Sequence, residues 1–401
     1  MLDFDAAQSR LAEAGPATQK TEICLLQDAL GRVLAESVTA TVNLPPDDNS
    51  AMDGYAIRLA DYQAGVALPI QQRAYAGETP QALKPGHAIR LFTGSLIPAG
   101  ADTVVMQENC TEADNAVTID VEPKLGEHIR KRGEDMAAGK AILPAGTRIG
   151  PSHITCLAAQ GRDRLTVFAR LRVGILTNGD ELVVPGNPLG PAQIYNTNGP
   201  TLAALCARLG AQVAHQIHAP DRPEAIEQAL ATLRADCDLI LTVGGISVGE
   251  KDYVRPALES AGASLDLWKV RMKPGKPVAL AWLGNTPVVC LPGNPVSSYV
   301  VFTLMVTPLI RRMQGRHTCL PPVRTGRLTC HAPYKESRAE FLRVRADTDA
   351  QGQLMLQPYA QQGSNIISSL PYSDGLARIP PDTLTGDGAT VSYYAWHDWL
   401  D

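Results

Sequence analysis

The chain has 401 residues, which at roughly 150 residues per domain implies two to four domains with cores of their own. Hydrophobic residues make up 45% and charged residues 19%, which excludes a disordered tail or a long coiled coil. A net charge of −5 and only 5% aromatics argue against nucleic acid or anionic lipid as a partner. The first residues carry Asp3 and Asp5 and no apolar run, which argues against secretion, so a cytoplasmic location is expected. The apolar stretch from Tyr299 to Ile310 is too short to span a bilayer. Eight cysteines are scattered without a C-x-x-C pair, which excludes a zinc ribbon and points to free thiols. His215 and His218 form an H-x-x-H in a strand-like segment, with the two rings expected on opposite faces.

In chain order, Asp3 to Leu34 shows helical apolar spacing, for example Ile23, Leu26, Leu30 and Val33. From about Ser37 to Asp135 short alternating runs (Ser37–Val42, Ala88–Phe92, Thr103–Met106, Ala116–Val121) between Gly, Pro, Asn and Asp predict a β-rich domain. Between Gly139 and Arg170 a strand, a short helix after Pro151-Ser152 closed by Gly161, and another strand return the chain to its N-terminal segment. Leu171 to Gly315 alternates buried strands with helices: strands at Arg172–Leu176, Gln212–Ile217, Asp238–Val243, Leu265–Val270 and Val288–Leu291, and helices after Asn198, Asp221 and Asp252 and from Val296. This predicts a parallel sheet wound with helices on both faces. Asp221-Arg-Pro-Glu224 reads as a capping box. From Pro321 onward, strands at Thr325–Cys330, Phe341–Arg345, Gln353–Gln357 and Thr390–Tyr394 predict a second small β domain. The expected fold is multidomain α/β plus β. A mixed linker domain takes 1–36 and 136–170, an inserted β-rich domain 37–135, a doubly wound α/β domain 171–320 and a C-terminal β domain 321–401.

Ligands of open α/β sheets bind beyond the carboxyl ends of the strands. Four loops should meet there: Thr177–Glu181, Gly244–Asp252, Arg271–Lys276 and Pro292–Pro295. Gly244, Gly245 and Gly249, with Ser247 between them, allow backbone N–H groups to turn toward a phosphate. The spacing matches neither the P-loop nor G-x-G-x-x-G, and a loop needing glycine only for its turns is the bland alternative. Lys269, Lys273 and Lys276 suggest an oxyanion or phosphate role, against a solvated charge run. Glu181, Asp221 and Asp252 suit a Mg²⁺ bridging phosphates, against helix capping for Asp221 and Asp252. In the β-rich segment, Asp53-Gly54 alone reads as a hairpin turn.

Seven strings in order carry a family resemblance: Asn49-Ser-Ala-Met-Asp-Gly-Tyr-Ala56, Thr93-Gly94 with Val104-Val-Met-Gln-Glu108, Arg132-Gly-Glu-Asp135, Gly179-Asp-Glu-Leu182, Gly244-Gly-Ile-Ser-Val-Gly-Glu-Lys-Asp-Tyr253, Lys273-Pro-Gly-Lys-Pro277 and Leu291-Pro-Gly-Asn-Pro295. Over essentially its whole length the chain resembles the MoeA family of molybdopterin molybdenumtransferases, to which the gephyrin E domain is related. The resemblance implies an elongated homodimer of four-domain subunits. It also implies a Mg²⁺-dependent reaction of adenylylated molybdopterin with molybdate that yields molybdenum cofactor and AMP. Transient contact with a molybdopterin adenylyltransferase and with downstream cofactor proteins goes with that role.

The resemblance implies catalytic positions at Asp53, Asp135, Glu181, Asp252, Lys273 and Lys276, with metal ligation by Glu181 and Asp252. It implies binding positions at Thr93, Asp221, Gly244, Gly245, Ser247, Gly249, Lys269, Pro292, Pro295, Arg343 and Ser364. Asp53, Thr93 and Asp135 would face the partner subunit's cleft, making each active site composite. One departure stands out: Thr177-Asn178 replaces the Ser-Thr that commonly precedes Gly-Asp-Glu in the family. The bottom-up reading agrees with such chemistry, because a pterin dithiolene brings its own soft sulfur ligands and the protein needs no cysteine cluster. Two alternatives share parts of the pattern. Competence-damage-type pyrophosphatases have the α/β module but lack the Ser-Ala-Met-Asp-Gly-Tyr-Ala segment, and a gephyrin-like scaffold would need a fused domain or long linker that this sequence does not contain.

Overall fold

The computed structural model describes residues 2–245 and 253–401. Its centre is a six-stranded sheet in the order 212–219, 172–178, 239–243, 286–291, 277–283, 264–269. The first four strands run parallel, and 277–283 is antiparallel to both of its neighbours, so 264–269 again points with the main set. Strand Arg172–Asn178 is buried at six of its seven positions, as expected where helices cover both faces. One face packs on Leu202, Leu205, Val300, Leu304 and Leu309; the other packs on Ile226, Leu230, Leu233 and Leu258. Each such side chain contributes roughly 1.5–3 kcal/mol by leaving water. The layered α/β expectation therefore holds, with one addition. Pro277–Leu283 is a strand that the sequence reading passed over, joined to Thr286–Leu291 by the two-residue turn Gly284-Asn285.

The first segment differs from its expectation. Only Phe4–Ala12 is a regular α-helix; Thr21–Leu25 is a strand paired antiparallel with Arg164–Phe168, and Leu26–Asp28 is a single 3₁₀ turn. The helical spacing of Ile23 and Leu30 was coincidental, for these side chains are 64% and 59% exposed. The helix packs Phe4, Ala7 and Leu11 into the α/β core, and Phe4 meets Phe341 of the C-terminal sheet at 4.7 Å. Leu34, Val38, Leu143, Leu157 and Val167 form a separate small core that unites residues before and after the insertion.

The inserted region is a six-stranded sheet in the order 103–106, 54–57, 88–91, 68–74, 116–119, 110–113. At its centre Gly54 is required by close approach, since a methyl group there would lie 2.0 Å from the Val105 carbonyl oxygen. The C-terminal strands close on themselves: 339–348 pairs with both 354–358 and 375–379, and 324–328 and 390–395 complete the ring. Its interior holds Leu328, Leu342, Val344, Leu356 and Ile379. Gly375–Ile379, the closing strand, is absent from the sequence reading. Among the described residues no helix is long and apolar enough to cross a membrane.

Candidate functional site

At the carboxyl ends of strands 172–178 and 239–243, a cavity of about 410 Å³ is lined by Thr177, Asn178, Glu181, Asn198, Gly244, Gly293 and Pro295, among others. Helices Asn198–Arg208 and Pro295–Val301 both begin on its wall. Their dipoles favour an anion there, while the Gly199 and Val296 N–H groups are already bonded to Asn196 Oδ1 and the Ser364 carbonyl, and Pro200 and Pro295 carry none.

The loop after strand 172–178 is held from below and behind. Asn178 donates to Asp221 Oδ1 (2.9 Å), and the Asp221 N–H donates to Asp180 Oδ1 (3.1 Å). Asp221 is thereby committed to positioning, and the expected capping box is absent: the N-cap of helix Pro223–Asp236 is Arg222, with no side-chain bond. Thr177 Oγ1 accepts from Asn196 (2.8 Å), and Asn196 in turn accepts from the Gly199 N–H (3.1 Å). Glu181 is exposed, and its carboxylate folds back over Gly179, where a methyl group would come 2.6 Å from Oε2. It accepts no hydrogen bond from a described side chain. Asn178 Oδ1 is buried and also lacks a partner among the described residues. It faces Gly244, while the Asn178 amide nitrogen approaches Gly245; the φ values of these two residues, +97° and +64°, require glycine.

The opposite wall is the proline loop. Pro292 is buried and Pro295 opens the helix. Asn198 donates to the Gly293 carbonyl (2.7 Å). The loop reaches the C-terminal barrel through Asn294 to Ser364 Oγ (3.1 Å) and the Val296 N–H to the Ser364 carbonyl (3.3 Å). Arg343 is fully buried and donates to Ser369 Oγ, Gln361 O and Gly363 O. Burial pushes its guanidinium down to about 10. In this structure Arg343 shapes the 361–364 turn that carries Ser364, and it does not line the cavity.

The lysine loop sits on the same rim, beyond strand Pro277–Leu283, roughly 10 Å from strand 286–291 at about 4.8 Å per strand. Lys269, Lys273 and Lys276 do not line the 410 Å³ cavity. Lys269 and Lys276 are exposed, whereas Lys273 bonds Glu336 and Glu340, each at 3.0 Å. Partial burial disfavours the Lys273 ammonium, but the two carboxylates outweigh it and the pKa is raised. Met272–Lys273 also pairs with Ala339–Glu340 as an edge strand of the barrel sheet.

Asp53, Thr93 and Asp135 lie in the inserted region. Asp53 Oδ1 accepts from the Thr93 N–H (2.7 Å) and hydroxyl (2.8 Å), which hold its pKa below the ordinary 3.8. Asp135 is exposed, and its N–H and that of Met136 both bond Leu44 O. None of the three lines the α/β cavity of its own chain. Ser247, Gly249 and Asp252 lie outside the described residues. The sequence reading missed Asn178, Asn196, Asn198 and Tyr195 as cavity or support residues. Its one available signal was a cluster of asparagines just ahead of a helix on the functional rim. His215 bonds Asp236 (2.8 Å) and His218 lies 3.4 Å from Thr177 Oγ1, so the two imidazoles serve different local contacts. Cys206 and Cys290 are buried thiols pushed up to about 12 by desolvation, and no cysteine lines the cavity.

A doubly wound sheet with a polar rim cavity, flanked by an inserted β region and a small C-terminal barrel, places the chain among multidomain α/β proteins. Residues 2–161 match the MoeA N-terminal region (domain I and II), 174–312 a probable molybdopterin binding domain, and 325–396 the MoeA C-terminal region (domain IV). A molybdopterin molybdenumtransferase of Haemophilus influenzae is 38% identical over 377 residues, 93% of each chain. One of Nostoc sp. is 40% identical over 306 residues, 74% of this chain and 70% of that one. The crystal structure of the molybdopterin biosynthesis MoeA protein from Pyrococcus horikoshii superposes with a TM-score of 0.85 at 27% identity, covering 98% of this chain and all of that one. The chain belongs to the MoeA family of molybdopterin molybdenumtransferases.

Proposed function

We propose that the protein inserts molybdenum from molybdate into adenylylated molybdopterin, releasing AMP, as a cytoplasmic step of molybdenum cofactor biosynthesis. The observation that carries this is the rim cavity, where two helix N-termini, Gly244 and Asn178 Oδ1, which has no partner among the described residues, converge beside the exposed Glu181 carboxylate. The two helix dipoles favour phosphate, and Asn178 Oδ1 accepts a donor of the pterin end. Lys276 and Lys269, about one and two strand spacings beyond strand 286–291 and its proline loop, meet the charge of an elongated substrate that spans cavity and lysine loop. Lys273 reaches the same charge while tethered to Glu336 and Glu340, and Ser364 and the proline loop close the far wall. The dithiolene sulfurs belong to the substrate, which fits a cavity without thiols.

A carboxylate donor set fits Mg²⁺, a hard cation that keeps several waters and binds through one or two carboxylates plus phosphates. Glu181 would hold it, with Asp252 as second carboxylate. When bound, the ion neutralises phosphate charge during loss of AMP. The working unit is a homodimer in which Asp53, Thr93 and Asp135 of one subunit complete the partner's cleft. The four-way division at 37, 136, 171 and 321 is the matching domain plan. Such a dimer receives its substrate from a molybdopterin adenylyltransferase and passes product to cofactor-using proteins.

The test is direct. Purified protein given adenylylated molybdopterin, Mg²⁺ and molybdate should release AMP in step with molybdenum insertion. Lys273→Ala should lower the rate about 10- to 150-fold, the worth of a charge-assisted contact. Absence of AMP release with both substrates present overturns the reading.

A further inference from the structure

One wall of the rim cavity is apolar, and neither the helix dipoles nor the Glu181 carboxylate gives it a use. Leu182, Ile194 and Tyr195 line it together, and Tyr195 is the one aromatic among the described lining residues. All three belong to the excursion between strand 172–178 and helix Asn198–Arg208, where Leu182–Val183 pairs in parallel with Ile194–Tyr195. The Ile194 N–H donates to Glu181 O and the Asn196 N–H to Val183 O, each at 2.8 Å. Asn196 is fixed in turn by its side-chain bonds to Thr177 Oγ1 and the Gly199 N–H. The backbone on both sides of Ile194 and Tyr195 is therefore set when the chain folds, and a ligand seated there has little more than side chains to order.

The protein itself leaves this surface uncovered. Ile194 is 57% and Tyr195 42% exposed, and Val184 and Leu189 on the same excursion are 53% and 44% exposed. Single exposed apolar residues are ordinary, but four on one short excursion, two of them at a cavity, mark a ligand-binding surface. Tyr195 makes no ring contact and no side-chain hydrogen bond with a described residue. The cavity, about 410 Å³, is the size of a small organic ligand's site, roughly 300–1,000 Å³, and larger than a phosphate group needs.

Resting on the reaction proposed above, we propose that this wall seats the pterin ring system of the substrate, with Ile194 and Tyr195 against the flat ring and the phosphate turned toward the two helix N-termini. A flat heteroaromatic ring is the part of such a substrate that gains from apolar and aromatic contact, and its charged part gains nothing there. All three wall residues fall in the 174–312 segment that matches a molybdopterin binding domain. Asn178 Oδ1, without a partner among the described residues, supplies an acceptor in the same cavity for a ring N–H. The adenine, the substrate's other ring, lies past the phosphates toward the lysine loop and outside this cavity. Ile194 and Tyr195 are thus substrate-binding residues that decide which end of the substrate enters.

The experiment is steady-state AMP release by the full chain from adenylylated molybdopterin with molybdate and Mg²⁺. Tyr195→Ala and Ile194→Ser should each raise KM for adenylylated molybdopterin about 10-fold, the scale of losing one stacking contact, with a much smaller change in kcat. Tyr195→Phe keeps the flat face and should restore KM. Val184→Ser, exposed but outside the cavity lining, should leave KM unchanged, and thermal unfolding checks that every variant folds. AMP as a product inhibitor carries the other ring, and its inhibition constant should be the same in wild type and Tyr195→Ala. A parallel loss of AMP affinity puts the adenine on this wall and overturns the proposal, as does an unchanged KM in folded Tyr195→Ala and Ile194→Ser. A titration with free pterin, which fluoresces and carries the ring without phosphate, needs no turnover. Saturable binding to wild type that weakens in Tyr195→Ala supports the wall even if AMP release fails and the proposed reaction falls. Absence of saturable pterin binding to wild type overturns it.

Discussion

Two acidic loops of similar length behave in opposite ways. In the 48–54 loop of the inserted sheet, Asp48 accepts from the Arg132 N–H (2.8 Å) and Lys131 (2.9 Å), and Asp53 from Thr93. In the 177–181 loop of the rim, Asp180 and Asp221 hold the backbone and Glu181 is left over, exposed above Gly179. A carboxylate that already satisfies N–H donors defines the path of its chain. One held in place by neighbours, with its own oxygens open to solvent, can meet a ligand without giving up a structural bond. Asp53 stands between these cases: Oδ1 is used and Oδ2 accepts nothing from a described residue.

The largest expected effect tests that contrast at both loops. Glu181→Gln should cut AMP release by about 100-fold or more, the scale of losing one electrostatic stabiliser of a reaction, with unfolding free energy changed by less than about 0.5 kcal/mol. Asp53→Asn should lower turnover while leaving the fold intact. Mixing the two variants under verified subunit exchange should then restore activity, since one site per heterodimer has both halves intact. Mixtures no better than either parent would place the whole site in one chain. The second effect is on stability and is confined to the inserted sheet. Gly54→Ala forces a methyl against the Val105 carbonyl and should cost roughly 1–3 kcal/mol in chemical denaturation, as overpacking does. The smallest is a pH effect. Asp48 has its pKa lowered below the ordinary 3.8, by Lys131 first and then by the Arg132 N–H. Folded protein thus holds its proton less tightly than unfolded chain, so the Asp48 contribution is present above pH 3.8 and fades as pH falls through the folded value. Asp48→Asn should flatten that acid limb in denaturation curves recorded from pH 6 to pH 3.

The α/β alternation was legible because strands buried on both faces read as unbroken apolar runs, such as Leu239-Ile-Leu-Thr-Val243, between helical repeats. Pro277–Leu283 carries the same signal and a Gly284-Asn285 hairpin turn. It departs from the strand–helix rhythm, having no helix ahead of it, and so went unread. Thr21–Leu25 failed for another reason: its partner strand, Arg164–Phe168, lies some 140 residues away, and no local spacing reports such a pairing. At the site, Glu181, Gly244 and the proline loop could be placed because each follows a strand end. Asn196 and Asn198 could not be ranked from sequence, since their roles exist only once the Gly199 N–H and the Gly293 carbonyl come within reach. The Lys273–Glu336–Glu340 contact exists only once Met272–Lys273 has joined the barrel sheet beside the distant Ala339–Glu340.

The 269–277 segment, finally, is stitched at every stage. Lys269 O accepts from Leu2 N (2.9 Å), Leu2 O from Arg271 N (2.8 Å), and Arg271 O from Ala339 N (3.0 Å), before Met272–Lys273 enters the barrel sheet. Ordering a loop of this length around a ligand normally costs entropy at the moment of binding. Here that cost is met when the chain folds, so the backbone bearing three lysines is preorganised. Affinity for an anionic substrate at this loop should therefore follow ionic strength more than any ordering transition, because only side-chain rotamers are left to freeze.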